Sequence, residues 1–178
     1  MCANYRPASR EALAALPLPP PDFGYGEAYP GSVVPVVTNF APRQWVPALF
    51  GLVPAWAHDL KIIRSTYNAR SETLGEKPSF RHAWQRGQLC IIPAEVLFEP
   101  CYESGKAERW RINMADGSPF AVAGIWRAWQ EEQGYTFSFS QLTINADAHP
   151  LLQRMHKPGD EKRSLVIVPA QEYDDWLG

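Results

Sequence analysis

Seventeen prolines are spread through these 178 residues, and they restrict the fold more than any other feature. Each fixes φ and removes a backbone donor, so long uninterrupted helices are excluded and short strands joined by loops are favoured. Hydrophobic residues make up 46% of the chain, with seven Trp, eight Phe and seven Tyr, which suffices for a sizeable core. One α+β domain over residues 1–178 is expected, built on a mostly antiparallel sheet with short helices as connectors.

Ser9 is placed to cap a helix over 10–16, which Pro17, Pro19, Pro20 and Pro21 would stop. Residues 32–38 read as a β-branched strand whose Pro35 requires an edge or a bulge. Residues 48–57 read as a buried strand ending at a turn, and 67–73 as a loop that presents side chains. Ser79 would cap a helix over 80–86 that Gly87 stops. An apolar strand follows at 88–93. A hairpin is expected between 109–113 and 120–126 around Asp116-Gly117, and a second one pairs the end of that run with the alternating segment 135–143. A strand at 164–168 and a helix at 171–177 close the chain.

A net charge of −2 gives no general case for nucleic acid, so any such binding must rest on local clusters of Arg and Lys. Such clusters occur at Arg64 and Arg70, Arg81 and Arg86, Arg109 and Arg111, and Arg154, Lys157, Lys162 and Arg163, with Trp56 and Trp126 available for stacking. Scattered solvated charges are the default reading of such clusters, and they also fit the lining of a phosphate-binding groove. Cys2, Cys90 and Cys101 form neither an even disulfide set nor a CxxC pair, so a reducing, cytoplasmic setting is expected, with no metal and no cofactor. No apolar run reaches membrane-spanning length and no leader pattern opens the chain, so no membrane partner is expected.

Cys2 carries the chemical idea. Loss of Met1 would leave an α-amine of reference pKa about 7.7–8.0 and a thiol of about 8.5 on one residue, both partly deprotonated near neutral pH. Taken alone, a position so near the end reads as part of a frayed terminus. Glu99, between Phe98 and Pro100, fits either an exposed strand-end carboxylate or a desolvated acid/base group. His156 fits a solvated side chain or a second proton-transfer group, and His149, before Pro150, reads as a turn residue. Asn68 and Arg70, two apart, would face one side and could orient a carbonyl and a phosphate together.

Six segments in order resemble the SOS-response-associated peptidase (SRAP) family: Met1-Cys2, Gly51-Leu52-Val53-Pro54-Ala55-Trp56, Asn68-Ala69-Arg70-Ser71-Glu72-Thr73, Pro93-Ala94-Glu95-Val96-Leu97-Phe98-Glu99, Phe120-Ala121-Val122-Ala123-Gly124-Ile125-Trp126 and the late His156. The resemblance implies an open β-barrel with peripheral helices, a monomer, and a Cys2 that crosslinks to the aldehyde of an abasic site in single-stranded DNA as a thiazolidine. It implies that Asn68 orients the Cys2 terminus and that Glu99 and His156 move protons, with His149 as the alternative histidine. It also implies self-removal of Met1, and DNA contacts from Trp56, Arg70, Arg81, Thr143, Arg154 and Arg163. Three departures alter the site's walls. The family's usual Met-Cys-Gly-Arg start is Met1-Cys2-Ala3-Asn4, its Asp-Gly-Phe-Tyr-Glu-Trp is Glu95 to Pro100, and its His-x-Arg-Met-Pro is stretched between His156 and Arg163. Two other classes of function stay open, a thiol peptidase or amidase with Cys2 as nucleophile and a non-catalytic nucleic-acid-binding module.

Overall fold

The chain is built around one long strand, β5 (Leu89–Cys101), which is buried along nearly its whole length because it has partners on both edges. The structure, a computed structural model, describes residues 2–8, 16, 18–24, 26–132 and 134–178; the helix expected at 10–16 lies outside them except for Leu16. The other strands are β1 (Tyr5–Pro7), β2 (Val33–Thr38), β3 (Ala41–Phe50), β4 (Asn68–Arg70), β6 (Glu108–Ile112), β7 (Phe120–Glu131), β8 (Gly134–Asn145), β9 (Arg163–Leu165) and β10 (Ile167–Val168). The order β5-β2-β3-β8-β7 returns to β5 through a direct β5–β7 pairing, so the sheet closes into a five-stranded barrel. It is mostly antiparallel, with β3 and β4 running parallel to β8.

Both edges of β5 are shared. On one, β7 pairs with its first half, Leu89 opposite Ile125, and β6 with its second half, Leu97 opposite Ile112. On the other lie β2, through Val37 and Ile91, and β1, through Tyr5 and Leu97. This corrects the hairpin expected between 109–113 and 120–126: β6 and β7 lie end to end along β5, whose thirteen residues are long enough for both. The β7–β8 hairpin forms as its alternation predicts, in register from Glu131–Gly134 to Gly124–Gln141. Pro35 faces Pro47 across the β2–β3 pair beside a register shift at Val36/Thr38, a place where neither missing N–H breaks a ladder.

The strand expected at 48–57 lies earlier, at Ala41–Phe50, and ends at Gly51. There φ is +120°, and the backbone runs so close to Ile63 that a Cβ would sit 2.9 Å from the Ile63 Cα, so only glycine fits. The short helix α1 (Ile63–Thr66) follows and delivers Asn68. Residues 68–70, expected in a loop, instead form β4, because their three backbone pairs extend β8. The helix α2 (Arg81–Gln85) lies within the span expected, with Gly87 at φ +59° past its end, although Phe80 rather than Ser79 holds the cap position. A last helix, α3 (Tyr173–Leu177), packs on the outside of the barrel with Leu52, Ile91, Ile125 and Leu142.

Aromatic rings fill the barrel. Phe50 stacks on Phe139 with centroids 5.2 Å apart and meets Tyr5 and Tyr67 edge-on at 5.4 and 6.0 Å. Cys2 belongs to this same interior cluster. Among the described residues no helix is long and apolar enough to cross a membrane.

Candidate active site

Cys2 is docked, not frayed. β1 runs antiparallel to the late part of β5, with Tyr5 opposite Leu97 and the Phe98 N–H donating to the Asn4 carbonyl at 3.0 Å. That register lays Cys2 beside Glu99, and each is only 4% exposed. Asn68, at the start of β4, donates its side-chain N–H to the Cys2 carbonyl at 3.0 Å. A three-residue strand on the edge of β8 therefore fixes the chain's beginning across 66 positions of sequence.

The acid/base groups have been moved far from their ordinary values. Burial raises the Glu99 carboxyl to about 7, against the opposing charge of the amino terminus and the smaller effect of the hydrogen bond from the Cys2 thiol. Burial, and then the charge on Glu99, push the Cys2 thiol well above its usual range. The thiol is thus protonated at neutral pH, which corrects the expectation of a partly ionised one: water is excluded and the nearest group is an acceptor carboxylate. Its Sγ also reaches the Asn4 carbonyl at 3.6 Å. A thiol held this way reacts only when a base takes its proton, and Glu99 is within hydrogen-bond contact.

His156 is the histidine of this site. Its Nε2 stands 3.6 Å from Glu99 Oε2, and the ring is 8% exposed. Burial, assisted by the charge of the amino terminus and then by that of Lys162, lowers its pKa to about 4, so at neutral pH the ring is uncharged and the contact with Glu99 is not an ion pair. The turn carrying it is tied to the end of β5: the His156 N–H donates to the Pro100 carbonyl at 2.7 Å, and Met155 bridges to Cys101. His149 is elsewhere engaged, its Nδ1 accepting from the N–H groups of Leu151 and Leu152 at 3.1 Å each. His156 also has φ +64°, unique among the described non-glycine residues, a conformation that costs of order 1–3 kcal/mol and collects at functional sites.

The candidate DNA-contacting residues divide. Trp56 and Arg81 are exposed. Arg70, at the exposed end of β4, is ion-paired to Glu161 at 2.7 Å. Arg154 forms a two-pronged pair with Glu103, 2.6 Å on each arm, over the Trp110 ring. Arg163 and Thr143 are buried and bonded to each other at 3.0 Å, which corrects the expectation that both face DNA. The Arg163 guanidinium is neutralised by Glu72 and Glu161 and braces β9 against β8. Arg109, one of the basic residues grouped in the sequence, lies at the docked N-terminal segment. Its guanidinium lies 3.7 Å above the Phe98 ring, donating to Asn4 Oδ1 at 2.6 Å and pairing with Glu27 at 2.5 Å. Asn4 thereby ties a cation from β6 to the segment that carries Cys2.

Residues 20–178 match the sequence profile of the family described as SOS response associated peptidase (SRAP). The chain belongs to the SRAP family. A solved structure from Bordetella bronchiseptica, 33% identical, superposes with a TM-score of 0.84 over 99% of this chain and 88% of its own. The abasic site processing protein YoaM of Bacillus subtilis is 29% identical over 154 residues, 86% of this chain. The match spans 65% of YoaM, so this SRAP chain covers a little under two thirds of that relative's length. The abasic site processing protein HMCES of Pongo abelii is 22% identical over 166 residues, 77% of this chain and 44% of its own.

Proposed function

We propose that this SRAP protein captures abasic sites in single-stranded DNA through Cys2, once Met1 has been removed. One observation carries the reading: a cysteine next to the chain's start is buried against a carboxyl whose pKa lies near 7, with Asn68 on its carbonyl and His156 behind that carboxyl. The names of YoaM and HMCES as abasic site processing proteins support it.

In the proposed reaction the freed Cys2 amine attacks the aldehyde of the ring-opened sugar, and loss of one water gives an imine. The thiol proton passes to Glu99, the sulfur adds to the imine carbon, and the imine nitrogen takes up a proton. The product is a five-membered thiazolidine. Both nucleophiles sit on one residue, so ring closure is intramolecular and fast. His156, neutral at working pH, relays protons to and from Glu99. Unpaired DNA is preferred because no base pairs must open before the sugar reaches a recessed cysteine. The thiol, held protonated beside a carboxylate rather than ionised beside a cation, weighs against a peptidase acting on other chains, which needs a stabilised thiolate.

The test is a denaturing gel of the protein with an oligonucleotide bearing an abasic site. A heat-stable shifted band is expected for the native protein and none for Cys2→Ala; a band that persists in Cys2→Ala defeats the proposal. Arg70 supplies a phosphate contact in this reading, and Glu161 competes for it. Glu161→Gln is therefore expected to tighten single-stranded DNA binding about two- to fivefold, since exposed pairs contribute up to about 1 kcal/mol. The salt dependence should steepen by roughly one phosphate contact. Fluorescence anisotropy over a salt series measures both.

A further inference from the structure

One lysine in the charged run between His156 and Arg163 is not a solvated surface charge. The Lys162 ammonium donates to the carbonyls of Met155 at 2.7 Å, His156 at 3.1 Å and Lys157 at 2.8 Å. Those three bonds use every proton it has. Its backbone is anchored too: the Lys162 N–H donates to Asp147 Oδ1 at 2.9 Å, and its carbonyl accepts from the Ala146 N–H at 2.8 Å. Lys162 therefore links the segment just past β8 to the turn that carries His156.

That turn needs such a link. His156 is held at φ +64°, a region that L-residues other than glycine visit sparingly. Three successive carbonyls converge on one point, and their partial negative charges repel unless a cation lies between them. We propose that Lys162 is a positioning residue whose ammonium, clasped by these three carbonyls, holds His156 in the left-handed conformation that presents Nε2 to Glu99. The proposal rests on the abasic-site reading for its kinetic consequence and on geometry alone for its structural one.

The charged and titratable groups acting on His156 are Glu99 from β5, Lys162 and Asp160 from its own loop, and the amino terminus of the chain. Lys162 is a cation among them, so its removal raises the histidine's affinity for a proton as well as loosening the turn. Lys162→Met keeps the apolar stem and loses the charge and all three bonds; Lys162→Arg keeps the charge.

The experiment measures adduct formation with abasic single-stranded DNA together with an NMR titration of the His156 ring. For Lys162→Met, the rate falls at least about tenfold, the ring titrates closer to the ordinary histidine value, and affinity for undamaged single strands is unchanged. Lys162→Arg recovers the low titration and part of the rate. A folded Lys162→Met that titrates and reacts like the native protein overturns the proposal. Should Lys162→Met fail to fold, Lys162→Gln, which retains two donors for the same carbonyls without charge, is judged by the same two readouts. If the native protein forms no adduct, the abasic-site reading fails, while the titration still decides the role of Lys162.

Discussion

Glu99→Gln is expected to slow adduct formation at least about 100-fold, the usual contribution of a positioned proton-transfer group. Glutamine keeps the size of the side chain and can still bond the Cys2 thiol, but it cannot take the proton. The pH dependence separates this from a packing effect. Burial places the Glu99 pKa at about 7, so the carboxylate that accepts the thiol proton is lost as pH falls through 7. The native rate should drop there, and Glu99→Gln should lose that limb while keeping the one due to the Cys2 amine near about 8.

Stability moves the opposite way. A carboxyl whose folded pKa is raised favours folding below the unfolded value of about 4.3, and that contribution is lost as pH rises through about 7. Above pH 7, Glu99→Gln should be more stable than the native protein, which urea midpoints at pH 6 and pH 8.5 will report. A rate within about threefold of native, or a midpoint unmoved at high pH, contradicts the role given to Glu99.

Phe50→Ala is expected to lower stability by about 3–5 kcal/mol. Phe50 has no exposed surface and packs against Phe139, Tyr5 and Tyr67 at once. Its loss opens the middle of the barrel, a large fraction of the roughly 5–15 kcal/mol that holds a domain together. Function should suffer beyond the loss of folded protein, because Tyr5 fixes the start of β1, three residues past Cys2, and Tyr67 precedes Asn68. Phe50→Leu fills most of the space and should cost about 1.5 kcal/mol or less. Urea midpoints with an unchanged slope would bear out both values; a Phe50→Ala loss below about 1 kcal/mol would show that the barrel interior collapses freely around the gap.

The parts of the fold legible in the sequence were those carried by local pattern. Period-two alternation marked the strand after Gly134, and β-branched residues around one proline marked β2. What local pattern does not contain is the partner. β6 and β7 have the composition of a hairpin, yet each pairs with β5, and only the length of β5 decides it. Residues 68–70 are too few to show a period, so a strand made by pairing with β8 read as a loop.

At the site, the grouping of residues was legible in the sequence and their environments were not. Cys2, Asn68, Glu99 and His156 meet as expected, while the ionisation of the thiol was misjudged because burial cannot be read from two residues at a chain end. Arg163 reads as one more basic residue in a charged loop, and its buried guanidinium is matched by Thr143 and by Glu72, 91 positions away, neither of which local sequence shows. Lys162, next to it, looks like a solvated lysine until its three carbonyls are seen.

Intact-mass spectrometry of the purified protein, alone and after incubation with an abasic single-stranded oligonucleotide, tests whether Cys2 loses Met1 and captures the abasic site. The expected result is a protein lighter by one methionine residue, and after incubation a species heavier by the oligonucleotide less one water, absent in Cys2→Ala. A native protein lacking Met1 that gains no such mass, or a Cys2→Ala protein that gains it, would contradict the account.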